Sequence, residues 1–250
     1  MLLQSAARIL IALGLAVAIA GWWMKGELPL PGKLQVAELE EPVQVRVRKP
    51  PFNTRVNGVD YRIQPRYSYE LNAVVVSLHH SDSWWDYAHK EWGDNVNIMD
   101  LCVAWGDSVR SGAYRDVSFS NNQWECTWTY SSERAHKQFN NAQASNNHIV
   151  TDDPALSEAL RKIEVGDQVR LRGYLVDYTI FRQDGSTVGS RISSETRTDV
   201  GPGACEVMYI DGFENVASPN RGWRIAQWAG LIGLFLGLVL YFVLPVRADA

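Results

Sequence analysis

Residues 153–176 read DPALSEALRKIEVGDQVRLRGYLV, and the change of period inside this stretch decides the fold. Asp153 followed by Pro154 places a capping residue before a proline at the first helical position. Leu156, Leu160 and Ile163 then fall on one side of a short helix. After Gly166 the period drops to two. Val169, Leu171 and Leu175 share one face of a strand, and Gly173 falls where a bulge or sharp bend is needed. Two more strands are predicted beyond it, over 187–198 and 204–216, with the turn-rich DVGPG between them.

Upstream the pattern is again strand-like. Residues 69–78 (YELNAVVVSL) are rich in β-branched side chains, and 97–105 (NIMDLCVAW) have a similar apolar character. Residues 123–130 (QWECTWTY) alternate strictly, with Trp124, Cys126, Trp128 and Tyr130 on one face of a half-buried strand. Residues 133–144 predict a polar surface helix. Ser145 to His148 then read as a loop before the helix at Pro154, because Ser and Asn bond nearby backbone and favour turns.

Two apolar segments bracket this body. Trp228 to Leu244 (WAGLIGLFLGLVLYFVL) carries no charge, and with Ala226 and Gln227 it reaches the roughly 20 residues a bilayer-spanning helix needs. Ile9 to Met24 is shorter. Residues 6–24 read as a transmembrane helix ending in the interfacial pair Trp22-Trp23, or as a signal peptide with Ala18-Ile19-Ala20 before Gly21. The expected organisation is an N-terminal span at 6–24, a Pro-containing acidic linker at 25–42, a β-rich domain at 43–216 and a C-terminal span at 226–244. Basic residues flank the body side of both segments, but long domains translocate largely regardless of charge. With 10 Trp and few lysines, the body is expected outside the cytoplasm.

A formal charge of −4, from 24 basic and 28 acidic residues, argues against a nucleic-acid partner, which calls for a basic surface. Arg46, Arg48 and Lys49 alternate with valines as on the solvent face of a strand.

Strands, a helix, then a strand opening with Gly-Asp and bending at Gly resemble small Greek-key barrels of the OB type, most closely over 163–216. The segments Leu101-Cys102-Val103-Ala104-Trp105-Gly106-Asp107, Ser145-Asn146-Asn147-His148, Thr196-Arg197-Thr198-Asp199 and Gly203-Ala204-Cys205-Glu206 are similar to a family of uncharacterised bacterial membrane proteins. That resemblance implies an OB-like extracytoplasmic domain and a bacterial envelope location, and carries no known activity.

Three cysteines in an exported domain suggest one disulfide. Cys102 and Cys126 lie on strands joined by a short connection, although Cys126 sits with aromatics while Cys102 alternates with Asp100 and Ala104. Cys205 could replace either. His79, His80, Asp82, Asp86 and His89 invite a metal, but no HExxH or Cys-x-x-Cys spacing occurs, so no metal or other cofactor is assigned. Trp85, Ala88 and Trp92 have helical spacing and predict a short helix packed by its tryptophans. The order Ser145, His148, Asp199 tempts one towards a hydrolase triad, but no G-x-S-x-G elbow surrounds Ser145 and no catalytic residue is assigned.

The ligand contact is expected where Asn146, Asn147 and His148 meet the turn carrying Arg197 and Asp199. Gly233 and Gly237 form a GxxxG face suited to helix association, and hence to a homo-oligomer. The expected function is that of an inner-membrane protein whose periplasmic domain is a non-enzymatic interaction module for an envelope protein partner. A hydrolase or metal site around the histidines, or an OB-type binder of a small or oligomeric ligand, are the alternatives.

Overall fold

In a computed structural model of the chain, the described residues are 2–196 and 204–243. In chain order they form α1 (Leu2–Met24), β1 (Val43–Arg46), β2 (Phe52–Val56), β3 (Val59–His80), α2 (Ala88–Trp92), β4 (Asn97–Ala104) and α3 (Gly106–Arg110). There follow β5 (Val117–Asn122), β6 (Glu125–Tyr130), α4 (Glu133–Gln138), β7 (Ala144–Val150), α5 (Pro154–Leu160), β8 (Gln168–Phe181), β9 (Thr187–Arg191), β10 (Glu206–Ala217) and α6 (Arg221–Val243). The chain divides into two compact units, one made by its two ends and one spanning Leu28–Ala217.

In the first unit α1 and α6 pack antiparallel, and both are long and apolar enough to cross a membrane. Glycines set how close they come. A Cβ on Gly14 would meet the backbone N of Leu234 at 2.5 Å, and one on Gly230 would meet the N of Ala18 at 2.4 Å. Gly237 lies on Ile11 in the same way, and Gly233 approaches the Cα of Gly14. The small-residue face seen in the sequence is thus laid against the chain's own first helix.

The second unit is mixed α/β, built on one large mixed sheet with a partial ring. β3 pairs antiparallel with β4, β4 with β7, β10 with β8, and β8 with β3, while β7 and β10 run parallel. β1 and β2 add to β3, and β9 adds to β8. The hairpin β5–β6 stands apart as its own two-stranded sheet. β3 is twice the length expected from residues 69–78, because Pro65 coincides with a register shift and hides the earlier half. Gly173 sits between β3 and β10, opposite a register shift in β10, and a Cβ there would be 1.9 Å from the Tyr209 carbonyl oxygen. α5 forms as predicted, with the Asp153 side chain accepting from the N–H groups of Ala155 and Leu156.

Three expectations change. Residues 28–42 are not a free linker but lie on the domain, with Leu34 and Leu39 in its core and Arg110 donating to the Leu39 carbonyl. The helix expected over 133–144 stops at Gln138, where Asn140 turns the chain by accepting from the N–H of Ala142. Ser145 to His148 are not a loop: they belong to β7, paired along their length with β4 and from Asn147 onward with β10, and are buried throughout.

Candidate functional site

The strand β4 is apolar except for Asp100 and Asn97, and it is buried on both faces. Met99, Leu101 and Val103 alternate onto one face within the main core, to which Cys102 and Ala104 on the other face also contribute. Asp100, Cys102 and Ala104 alternate onto the other face, which the β5–β6 hairpin covers through the Cys102–Cys126 disulfide. The hairpin's Cys126, Trp128 and Tyr130 pack onto the core, which resolves the question of facing. Register then collects a polar row, since His79 on β3 is opposite Asp100 and Asp100 is opposite His148 on β7.

Asp100 is fully buried and accepts on both oxygens: from His148 Nδ1 at 2.6 Å, from Asn97 Nδ2 at 3.2 Å and from the backbone N–H of Trp124 at 2.9 Å. Burial alone would raise its pKa, but the His148 charge and these hydrogen bonds hold it below the usual 3.8. Burial likewise opposes the charged form of His148, yet Asp100 and a hydrogen bond with Cys205 push its pKa up to about 10. His148 is therefore an imidazolium at neutral pH. With Nδ1 committed to Asp100, Nε2 is the nitrogen left for Cys205. The thiol also receives Asn146 Nδ2 at 3.4 Å and lies 3.7 Å from the Trp124 carbonyl oxygen.

Trp124 ties the cluster together at a cost. It is the second residue of the two-residue β5–β6 turn and has φ of 67°, a position that ordinarily takes Gly or Asn. Its N–H serves Asp100, its carbonyl accepts from Asn146 at 3.3 Å, and its indole N–H donates to His89 Nε2 at 2.7 Å. Arg191, at the end of β9, stacks its guanidinium 4.0 Å above the ring. Arg191 also faces Asp94 at 3.5 Å, and Asp94 accepts from the Tyr178 hydroxyl at 2.7 Å. Burial holds the Asp94 carboxyl above its usual range.

Among the described residues, His79, Asp86 and His89 are a group whose donor atoms lie close enough to share a cation. An indole N–H only donates, so His89 Nε2 must present its lone pair to Trp124. Its ring proton is then on Nδ1, aimed at Asp86 Oδ2 at 2.7 Å, and His79 Nε2 reaches the same oxygen at 2.7 Å. Hydrogen bonds thus close this group, and no lone pair of His89 faces the point where an ion would sit.

Of the expected ligand contacts, Asn146 and His148 belong to the cluster. Asn147 does not: it alternates to the opposite face of β7, where it donates to Ser145 Oγ at 2.8 Å. Ser145 shares that face, so it and His148 point apart and the Ser145-based triad fails on register. Arg197 and Asp199 lie outside the described residues. The structure supplies Arg191 as the guanidinium and Asp100, Cys205 and Trp124 as partners that sequence reading did not join to the site. Comparison with known families, curated proteins and solved structures gives no match.

Proposed function

We propose that the chain is a bacterial inner-membrane protein, both termini cytoplasmic, whose β domain is an OB-type ligand-binding module in the periplasm. A disulfide supports an oxidising compartment for the domain. Two apolar terminal helices support its attachment, and their antiparallel packing suits tails on one side of the membrane. The OB reading draws on the strand circuit β3–β4–β7–β10–β8–β3, with β7 and β10 parallel and a helix between its third and fourth strands.

One observation carries the binding reading. The connection between β3 and β4 presents Trp84, 92 % exposed, Tyr87, 73 % exposed, and Trp85, 42 % exposed, in water. OB folds take oligonucleotides and oligosaccharides through this first connection. A net charge of −4 disfavours a polyanion and favours a glycan, whose apolar ring faces stack on indoles. The test is a tryptophan-fluorescence titration of the detergent-solubilised chain with β-1,4-linked N-acetylglucosamine oligomers. Wild type should quench saturably, and Trp84→Ala should weaken binding about tenfold at an unchanged melting temperature, as expected for a stacking contribution of about 1–3 kcal/mol. Identical titrations for the two proteins, or no saturable change, would dismiss the glycan platform.

A further inference from the structure

The Cys205–His148–Asp100 line goes beyond a binding surface and does not depend on one. We propose that Cys205 is the nucleophile of an acyl-transfer site, with His148 as its proton-transfer partner, Asp100 as the positioning residue and Asn146 as a donor to the developing oxyanion. Four observations carry it. Cys205 is outside the disulfide and as a residue only partly buried, while its neighbours His148 and Asp100 are buried. Asp100 binds His148 at Nδ1, which turns Nε2 towards the thiol, the arrangement of a nucleophile, a base and an orienting carboxylate. Asn146 Nδ2, 3.4 Å from Sγ, is close enough to meet an oxygen on a carbon bonded to that sulfur. The fourth is Trp124, kept in a left-handed conformation that costs about 1–3 kcal/mol and whose backbone N–H and C=O both serve this cluster.

The other two cysteines are bonded to each other, so Cys205 has no resolving thiol among the three in the chain, which favours carbon over sulfur as its electrophile. The substrate class is a carboxylic ester or thioester. In the reactive form the thiol proton resides on His148 Nε2. Sγ attacks the carbonyl carbon, forming a C–S bond while the carbonyl π pair moves to oxygen beside Asn146. Collapse breaks the bond to the leaving group, which takes the proton from Nε2. Water then gives a proton back to Nε2 and its hydroxide adds to the thioester. The C–S bond breaks, and the sum is addition of one water across the ester.

The experiment uses the full chain in detergent with p-nitrophenyl acetate. Expected are a burst of about one p-nitrophenolate per chain, an acetyl group located on Cys205 by mass spectrometry, and no burst in Cys205→Ala. Cys205 in the native chain should be acetylated at least 100-fold faster than in the same chain unfolded in urea at the same pH, the scale of general acid–base assistance. His148→Gln should lose that advantage, and Asn146→Ala should slow acetylation about 100-fold. Asp100→Asn should shift the pH of half-maximal acetylation, which loss of stability alone does not move. A native rate no greater than the unfolded one, or a burst that persists in Cys205→Ala, overturns the proposal without using any variant that fails to fold. Neither result bears on glycan binding, which is read by fluorescence at Trp84.

Discussion

Replacing Asp100 with asparagine keeps the size of a buried side chain and removes its charge. In the native fold the carboxylate faces three donors: His148 Nδ1, Asn97 Nδ2 and the Trp124 N–H. An asparagine oxygen can accept from one or two of them, and its amide then opposes another donor. The larger consequence is for His148, whose folded-state pKa of about 10 exceeds its unfolded 6.5. A raised pKa contributes stability that is fully present below pH 6.5 and is lost as pH rises through 10. Taken at pH 7, that difference corresponds to about 4 kcal/mol, in line with the ~3–5 kcal/mol cost of breaking a buried ion pair. Without the carboxylate, burial alone acts on the ring and it becomes neutral. Urea unfolding of the detergent-solubilised chain, followed by tryptophan fluorescence from pH 6 to 10, measures this. Wild type should lose stability across that range, Asp100→Asn should start about 3–5 kcal/mol lower at pH 7, and the gap should close towards pH 10. Parallel curves, or a deficit below about 1 kcal/mol at pH 7, would refute the ion-pair argument.

Cys126→Ala should lower the stability of the domain by about 3 kcal/mol, the chain-entropy value for a 24-residue separation, and adding Cys102→Ala should cost little more; three free thiols by mass spectrometry of unreduced protein would contradict this. Gly173→Ala, whose Cβ would be 1.9 Å from the Tyr209 oxygen, should prevent accumulation of folded protein, and a melting temperature within a few degrees of wild type would show that β8 and β10 do not approach as described. Gly230→Leu should separate α1 from α6, seen as loss of a cysteine cross-link engineered between positions 10 and 233, while the melting temperature of the β domain stays unchanged. Trp124→Gly should relieve the turn and keep the backbone bonds to Asp100 and Asn146 while losing the indole bond to His89 and the Arg191 stack, so the net effect on melting temperature should be small and the fall in stability above pH 6.5 unchanged.

Elements were legible where one face is apolar and the other wet, or where a cap is local. β6 and β8 show period two, α5 shows its Asp-Pro start, and Gly173 announces the close approach that β3 and β10 require. β7 was illegible for a physical reason. Its outer face meets polar groups on β4 and on the hairpin, so Asn146 and His148 occupy buried positions where an apolar residue would have given the strand away. The half of β3 before Pro65 was lost because a proline in a strand is acceptable only at an edge or irregularity, and the register shift there is visible only once the partner strand is known.

The site was half legible in the same sense. Composition singles out Asn146 and His148, but their partners lie 22 to 59 residues away, and only strand order brings them together. One signal lies in the sequence itself: Asp100 interrupts an apolar run, NIMDLCVAW, that has no wet face. A carboxylate in such a strand must be neutralised or paired, and the cation that pairs it has to come from another strand of the same sheet. Histidine is the residue that can both supply that charge and release a proton. An arginine in the same place would hold its proton permanently, so a histidine beside a free thiol leaves room for proton transfer that a guanidinium would not. On the proposed acyl-transfer reading, histidine at 148 is the feature that would separate chemistry from scaffolding, and His148→Arg tests it. If the pair only holds the fold, the introduced guanidinium should keep Asp100 satisfied and leave Cys205 labelling unchanged. If the ring moves a proton, Cys205 acetylation should fall to the unfolded-chain rate in a variant that still melts cooperatively.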